Sequence, residues 1–383
     1  MSPACIHIVC GIDCDPDIKI DRPVHAARVF HGKSCDEVLR LLPLMFSVCG
    51  TAQAIAASHA MRAATGVLHS AEVTKAHGAL VRFEMAREHL WRVLIDWPKF
   101  TGQRQRSQAL GAMQALVPRA RDALFDGSPF SLAPELACDF DALDKVRGDF
   151  NAILESDVLG ISPARWLAMD EPDELFRYLD ASDGAVPRLL KLMFRSGWQG
   201  ACPSDTRRLP RLSAADIEGV LARPDADRFV EAPDWTGVAR ETSALTRQRD
   251  NRLVNALIDE FGLGLLARAV AAVVELAATT QDIGMIIDGF AGPGIASEQT
   301  GSSTGITQVE AARGRLVHRV VRDGDTISDY RVVAPTEWNF HKTGAVAAGL
   351  TGLSADDRER LREQADLFLT LMDPCVAWSL ELN

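Results

Sequence analysis

Two stretches late in the chain decide the predicted fold: residues 309–318 read VEAARGRLVH, and residues 330–339 read YRVVAPTEWN. Between them, β-branched and apolar residues flank Asp323-Gly324-Asp325, which predicts a β-hairpin because Asp-Gly favours a tight turn. On either side of this hairpin the apolar residues return to helical spacing, over Thr246–Ala278 and in a run that ends at Met372. The hairpin therefore interrupts a chain that is otherwise patterned as helices.

The remaining periodicity predicts a mainly α protein with a small β component. One or two short strands are expected between residues 5 and 31, and further helices over residues 52–65, 70–97 and 105–126. Ser34 and Glu37 form the capping-box pattern of an earlier helix. Pro43 lies in that helix and is expected to kink or divide it.

The domain organisation is predicted to be a single domain over residues 1–383. Residues 162–233 are expected to be a peripheral helical region, because Pro, Trp and acidic residues weaken the periodicity there. Pro98 is expected to end the helix before it, and Ser354 to cap the last helix. Loops are predicted over residues 284–305 and 335–344.

The charge balance excludes some classes of partner. The 383 residues carry a formal net charge of −11, which argues against nucleic-acid binding because phosphate contacts need a basic face. No basic amphipathic run predicts binding to a membrane, and the apolar run Leu263–Thr279 is interrupted by charges and too short to span one. There is no secretory signal pattern, and the eight cysteines are scattered. We therefore expect a cytoplasmic protein with reduced thiols.

Two cysteines near opposite ends of the chain are the candidate metal ligands. Cys49 lies between two apolar helical segments, and Cys375 follows the last helix in Asp373-Pro374-Cys375. We expect the fold to bring these thiols together around a metal fragment. Cys49 is predicted to lie at a helix N-terminus, where the helix dipole would lower the pKa of the thiol.

The motifs resemble those of [NiFe]-hydrogenase large subunits. VEAARGRLVH is similar to their E-A-x-R-G-x-L-x-H signature, and YRVVAPTEWN to their Y-x-x-x-x-P-T-x-W-N. Asp373-Pro374-Cys375 is similar to the start of their C-terminal metal-binding motif, and Cys49-Gly50 to the start of their C-G-x-C. The resemblance covers nearly the whole chain and implies a large-subunit-like fold.

Departures from those motifs indicate that the function differs from that of a hydrogenase. The second cysteine of each family pair, which bridges nickel and iron, is replaced here by Ala52 and by Trp378. The family's C-terminal histidine falls at Glu381, and the Pro-Arg pair after W-N at Lys342-Thr343. Nickel in such a site needs four soft thiolate donors, and only two remain here. The resemblance therefore implies no nickel and no hydrogen turnover.

Degenerate large-subunit relatives of the HupK/HoxV maturation type show this pattern, and the chain resembles them. The resemblance implies a non-enzymatic scaffold that binds an Fe(CN)2(CO) fragment through Cys49 and Cys375. Asp373, Arg313, His341 and Lys342 are the candidate polar residues around the fragment. The implied partners are a HypC-type small chaperone, a HypD-type iron scaffold and the hydrogenase large-subunit precursor. Two alternatives stay open: a metal-free interaction scaffold for maturation chaperones, and a mononuclear-iron enzyme that acts on the fragment.

Overall fold

The computed structural model describes residues 4–10, 15–46, 48–105, 107–289, 292, 294–351, 353 and 357–382. Helices predominate, and most buried apolar side chains belong to one core that extends from Ile6 to Leu380. The predicted mainly α class is confirmed. The β component is larger than a single hairpin, because the described strands form sheets of four, three and two strands.

The N-terminal segment forms a strand pair followed by a helix. Strands β1 (Cys5–Cys10) and β2 (Asp17–Asp21) pair antiparallel. After a 3₁₀ turn at Ala26–Phe30, α1 (Cys35–Met45) begins with the predicted reciprocal capping box between Ser34 and Glu37. Pro43 does not divide α1, because it lies in the last turn and removes only one amide donor.

Helices α2 (Gly50–Ala63) and α3 (Ala71–Trp91) follow, with α2 buried on almost every side. The helical backbone continues from α3 through a π-helical turn at Arg92–Asp96 into α4 (Trp97–Thr101). The prediction that Pro98 ends this helix is wrong. Pro98 occupies the first turn of α4, where a missing amide donor costs little, and Gly102 ends the helix with a φ of +66°.

Shorter helices and one small sheet fill the middle of the chain. They are α5 (Ser107–Gln114), α6 (Leu116–Leu124), β3 (Phe125–Asp126), β4 (Glu135–Leu136), α7 (Phe140–Ile153), a π-helical turn at Leu154–Leu159, α8 (Pro163–Leu167), α9 (Pro172–Ala181), α10 (Ala185–Ser196), α11 (Ala214–Leu221) and α12 (Ala226–Glu231). The region 162–233 is not wholly peripheral, because Leu189, Leu190 and Met193 of α10 are fully buried in the main core.

The helix predicted over Thr246–Ala278 is three helices: α13 (Ala244–Arg247), α14 (Arg252–Phe261) and α15 (Leu265–Asp288). The break between α14 and α15 falls at Gly262, whose φ of +80° is a conformation that side-chain-bearing residues rarely adopt. Apolar periodicity alone does not reveal this break, since it resumes on the far side of the turn.

Helix α15 is the centre of the core. By length and composition alone its 24 residues could cross a membrane, because the helix extends beyond the predicted run Leu263–Thr279 to Asp288. However, Arg268 and Glu275 of α15 are buried and form ion pairs with Glu241 and Arg247. A buried helix whose charged residues are paired inside the protein is typical of a folded core.

The four-stranded sheet packs against α2. It contains β5 (Ile295–Gly301), β6 (Thr304–Ala311), β7 (Gly314–Asp323) and β8 (Thr326–Val333), each antiparallel to the next. The predicted hairpin is β7–β8, but the predicted loop over residues 284–305 is wrong, since α15 and β5 occupy much of it. Gly305 permits the packing, because a Cβ there would lie 2.0 Å from the carbonyl oxygen of Ala60.

The C-terminal part returns to the first sheet. The predicted loop 335–344 contains α16 (Pro335–Asn339), which is followed by α17 (Ala345–Thr351) and α18 (Arg358–Met372). Ser354 lies outside the described residues, and the N-cap of α18 is Asp357. Strand β9 (Ala377–Leu382) pairs parallel with β1, so the end of the chain lies beside its N-terminal strands.

Candidate functional site

Cys49 and Cys375 line the same cavity, which has a volume of about 300 Å³. Both residues are partly buried. The lining is mostly apolar, and its polar side chains are those of Cys49, Cys375, Arg22, Arg313, Gln53 and Thr336. The structure therefore places the two thiols in one largely apolar cavity, although they are more than 300 residues apart in the sequence.

Cys49 immediately precedes α2, and a buried carboxylate fixes the start of that helix. Glu84 of α3 accepts hydrogen bonds from the backbone amides of Thr51 and Ala52, each at 2.8 Å. These amides belong to the first turn, which has no partners within the helix. The negative charge of Glu84 also lies at the positive end of the helix dipole.

This arrangement reverses the predicted direction of the Cys49 pKa. Burial, together with the charges of Cys375 and Glu84, raises the pKa of the Cys49 thiol from 9.0 to about 12. The prediction that the helix N-terminus lowers this pKa is wrong, because burial dominates and Glu84 already occupies the helix start. Cys49 is thus a neutral thiol at neutral pH, and a metal bound there would displace its proton.

Cys375 is positioned by the end of α18 and by two neighbouring side chains. Asp373 leaves the helix with a φ of +49°, and Pro374 prevents its continuation. The Cys375 sulfur accepts a hydrogen bond from Arg22 Nη1 at 2.9 Å and lies 3.2 Å from Thr336 Oγ1. Arg22 follows β2, and Thr336 belongs to α16, so distant parts of the chain converge on this sulfur.

Arg313 connects the cavity to an ion-pair network behind it. Its Nη2 lies 3.0 Å from Glu88 Oε2 and 3.1 Å from Asp373 Oδ1. Asp373 also accepts from Arg92 Nε at 2.5 Å. Burial opposes the charge of Arg313, but Asp373 and Glu88 outweigh burial and leave the pKa of the guanidinium raised. A permanently charged Arg313 therefore ties α3 to the segment that carries Cys375.

Three of the predicted polar residues, His341, Lys342 and Asp373, do not line the cavity. His341 is partly buried and its Nδ1 lies 3.1 Å from Thr343 Oγ1, while Lys342 is exposed. Burial and the charge of Lys342 lower the pKa of His341. The chain leaves the site after Asn339, which is anchored by hydrogen bonds to the backbone of Thr242. Asp373 lies behind the cavity, where it accepts a hydrogen bond from Arg313.

Sequence reasoning missed Arg22, Gln53 and Thr336 as site residues. Gln53 lies one helical turn after Cys49, so helical spacing would have placed it on the same face. Its Nε2 is 3.9 Å from the Cys49 sulfur, and its Oε1 lies 2.8 Å from His318 Nε2. No local signal identifies Arg22, because its approach to Cys375 depends on the pairing of strands from the two ends of the chain.

The donor set suits a metal group that already carries ligands. No group of three or more His, Cys, Asp or Glu side chains able to hold a metal ion exists within the described part of the chain. The cavity instead offers two sulfur atoms. It also contains Arg313, whose buried Nε has no hydrogen-bond partner among the described residues. A bound group with a hydrogen-bond acceptor would satisfy this donor.

The chain is similar in sequence to hydrogenase expression/formation proteins. No family model matches the chain. It is 30% identical to the hydrogenase expression/formation protein HoxV of Cupriavidus necator, covering 96% of this chain and 92% of that protein. It is 31% identical to the hydrogenase expression/formation protein HupK of Bradyrhizobium diazoefficiens, with 93% and 89% covered. HupK of Azotobacter vinelandii is 28% identical, with 96% and 94% covered.

Solved structures show the same fold at much lower identity. The reduced Ni-Fe-Se hydrogenase from Desulfovibrio vulgaris Hildenborough superposes with a TM-score of 0.65 at 14% identity, covering 94% of this chain and 93% of that chain. The reduced Ni-Fe-Se hydrogenase from Desulfomicrobium baculatum gives a TM-score of 0.56 at 13% identity, with 94% and 93% covered. The large-subunit-like fold predicted from the motifs is therefore confirmed.

Proposed function

Because this chain belongs to the HoxV/HupK family of hydrogenase expression/formation proteins, we propose that it holds an Fe(CN)2(CO) fragment between Cys49 and Cys375 during hydrogenase maturation. The fragment is cargo, and it is passed on to the large-subunit precursor. The observation that supports this proposal most strongly is the shared cavity, which contains both sulfur atoms and the guanidinium groups of Arg22 and Arg313.

The chemistry of the cavity matches that of the fragment. Thiolate sulfur is a soft donor, which suits low-spin iron that carries cyanide and carbonyl ligands. Cyanide nitrogen accepts hydrogen bonds, and Arg313 has an unpartnered buried donor. Two sulfur donors complete such an iron, but they are too few for a nickel–iron centre with bridging thiolates. We therefore propose no nickel, no hydrogen turnover and no enzymatic activity.

The partners and location follow from the same role. A HypC-type chaperone and a HypD-type iron scaffold supply the fragment, and the hydrogenase large-subunit precursor receives it. This exchange takes place in the cytoplasm, with no nucleic acid or membrane involved. The large-subunit-like fold supports a direct encounter, since a scaffold with the shape of the final acceptor presents its cargo to the same chaperones.

Infrared spectroscopy tests the proposal. The protein is co-expressed with hydrogenase maturation proteins, purified without oxygen and examined for CO and CN stretching bands. The wild type is expected to show both kinds of band, with iron bound stoichiometrically. The double variant Cys49→Ala/Cys375→Ala is expected to lose them, whereas Cys138→Ala, which removes an exposed thiol outside the cavity, keeps them.

The outcomes separate the three candidate roles. A wild-type protein without CO or CN bands would contradict the carrier role and favour a metal-free scaffold. Bands that persist in the double variant would refute the assignment of Cys49 and Cys375 as ligands. A protein that converts an excess of incomplete fragment in repeated turnovers would be an enzyme, whereas a carrier stops when it is loaded.

A further inference from the structure

The two sulfur atoms in the cavity are held very differently. The Cys375 sulfur has close contacts with Arg22 Nη1 at 2.9 Å and with Thr336 Oγ1 at 3.2 Å. The Cys49 sulfur has one described hydrogen-bond contact, to Gln53 Nε2 at 3.9 Å. A contact that long contributes little restraint. Cys375 is therefore fixed before anything binds, and Cys49 is not.

Arg22 is itself paired with a buried carboxylate. Its Nε lies 3.1 Å from Glu337 Oε1, and the two side chains are only 12% and 2% exposed. The charge of Glu337 holds the guanidinium near α16, and the Nη1 of that guanidinium donates to the Cys375 sulfur. Glu337 and Thr336 are neighbours in α16, so this one short helix restrains the Cys375 sulfur directly and through Arg22.

The sheet register explains why Arg22 meets Cys375. Asp21 of β2 and Ala377 of β9 both pair with Cys5 of β1, from opposite sides. Arg22 follows Asp21, and Cys375 lies two residues before Ala377, so both stand at the same end of this three-stranded sheet. The backbone of Cys49 is fixed as the N-cap of α2, but its sulfur has no close partner of this kind among the described residues.

We infer that Arg22 is a positioning residue that makes Cys375 the anchoring ligand of the cargo and leaves Cys49 as the ligand released first. This inference rests on the proposed function and adds an order to it. The fragment binds the preset Cys375 sulfur first, and Cys49 then binds the iron as its thiol loses a proton to solvent. On transfer, the bond between Cys49 and iron breaks first, and the Cys49 sulfur takes up a proton from solvent. One coordination position of the iron is then open to the acceptor, while Cys375 still holds the iron.

Single variants test this order by infrared band intensity after co-expression with the maturation proteins. Cys49→Ala is expected to keep a reduced set of bands at shifted frequencies, whereas Cys375→Ala loses them. Arg22→Met is expected to lower loading about 10-fold, the size expected for one lost charge-assisted hydrogen bond. Arg22→Lys recovers part of the loading, because it restores a cationic donor. Arg28→Met, the same change at an exposed arginine on this segment, leaves loading intact.

A second readout needs no cargo. In protein labelled with ¹³C at cysteine Cβ, Arg22→Met is expected to shift the Cys375 resonance and leave that of Cys49 in place. Arg28→Met shifts neither. An unchanged Cys375 resonance in folded Arg22→Met would overturn the positioning role.

Different results would contradict the proposed function and the inferred order of the two ligands. Wild-type protein without bands contradicts the proposed function and removes the cargo order with it, while the resonance test still decides whether Arg22 positions Cys375. Wild-type bands combined with equal losses in the two single cysteine variants, or a greater loss in Cys49→Ala, would overturn the inferred order alone.

Discussion

Two clusters of potential metal ligands lie near opposite ends of α2. They differ in whether their donor and acceptor atoms already have hydrogen-bond partners. In the histidine cluster, His59 Nδ1 lies 3.1 Å from Ser297 Oγ, and His59 Nε2 lies 2.9 Å from His77 Nδ1. His77 Nε2 lies 2.7 Å from the carbonyl oxygen of Pro129. Both imidazoles thus use both nitrogens, whereas the two-cysteine cavity keeps an unpartnered donor on Arg313 and space around two thiols.

The difference shows that residue type alone does not mark a binding site. Histidine is the commonest metal ligand, yet here three histidine rings, with centroids 4.6 to 5.4 Å apart, pack on one another, and two of them use both nitrogens in hydrogen bonds. The cavity has fewer strong ligands, but it combines free bonding capacity with volume. We therefore expect substitutions in the cavity to change loading, and substitutions in the histidine cluster to change stability only.

The largest effect is expected from Arg313→Met. This change removes the two buried charge-assisted contacts of Arg313, to Glu88 and Asp373, which keep only Arg87 and Arg92 as partners. The loss should cost about 3–5 kcal/mol of unfolding free energy. Urea denaturation measures the loss. Arg119→Met is the matched control, because its pair with Asp149 is exposed and such pairs contribute about 0–1 kcal/mol. A loss for Arg313→Met no greater than that of the control would contradict the role given to the network.

A smaller effect is expected from His77→Leu. The substitution leaves His59 Nε2 and the Pro129 carbonyl without a partner, which should cost about 1–3 kcal/mol of stability. Loading with the iron fragment should stay at the wild-type level, as measured by infrared band intensity per folded protein. Loss of the bands in a folded variant would show that the histidine cluster serves the site after all.

The pH dependence of stability gives a further test. Burial lowers the pKa of His77 to about 3, against about 6.5 in an unfolded chain. Below about pH 6.5, His77 therefore binds a proton in the unfolded state but not in the folded state, so stability falls as the pH falls. The expected slope is about 1.4 kcal/mol per pH unit from this residue. Denaturant unfolding between pH 6 and pH 4 should show a shallower slope in His77→Leu; an unchanged slope would mean that His77 is protonated in the folded state.

The smallest effect is expected from His341→Ala and Lys342→Ala. Both side chains lie outside the cavity, and surface substitutions of this kind usually change free energies by less than about 0.5 kcal/mol, or about twofold in occupancy. Loading should stay within that range of the wild type. Complete loss of loading in either variant would restore the role that the hydrogenase-like motif suggested for them.

Local signals in the sequence predicted local structure well. The Ser34–Glu37 capping box, the β7–β8 hairpin and the helix that starts after Cys49 all depend on residues within a few positions of each other. The breaks and continuations were less predictable. Gly262 divides an apolar run that keeps its helical spacing, and Pro98 falls at a first helical turn, where proline is tolerated.

The site was predictable in part, through its motifs. They indicated Cys49, Cys375 and Arg313, and the structure places all three at one cavity. Arg22 lies in a stretch that resembles the maturation proteins, but the motifs gave it no role at the site, because its contact with Cys375 is made through the β2–β1–β9 sheet. The predicted lowering of the Cys49 pKa was also wrong. A helix terminus is a local feature that the sequence shows, whereas burial and the charge of Glu84 are consequences of packing.

The central claim is that the chain holds the fragment and hands it on. The direct test mixes protein loaded with Fe(CN)2(CO) with metal-free hydrogenase large-subunit precursor, separates the two and records the infrared spectrum of each. The account predicts that CO and CN bands leave this protein and appear on the precursor in equal amount. Bands that remain on this protein, with none on a folded precursor competent to receive them, would contradict it.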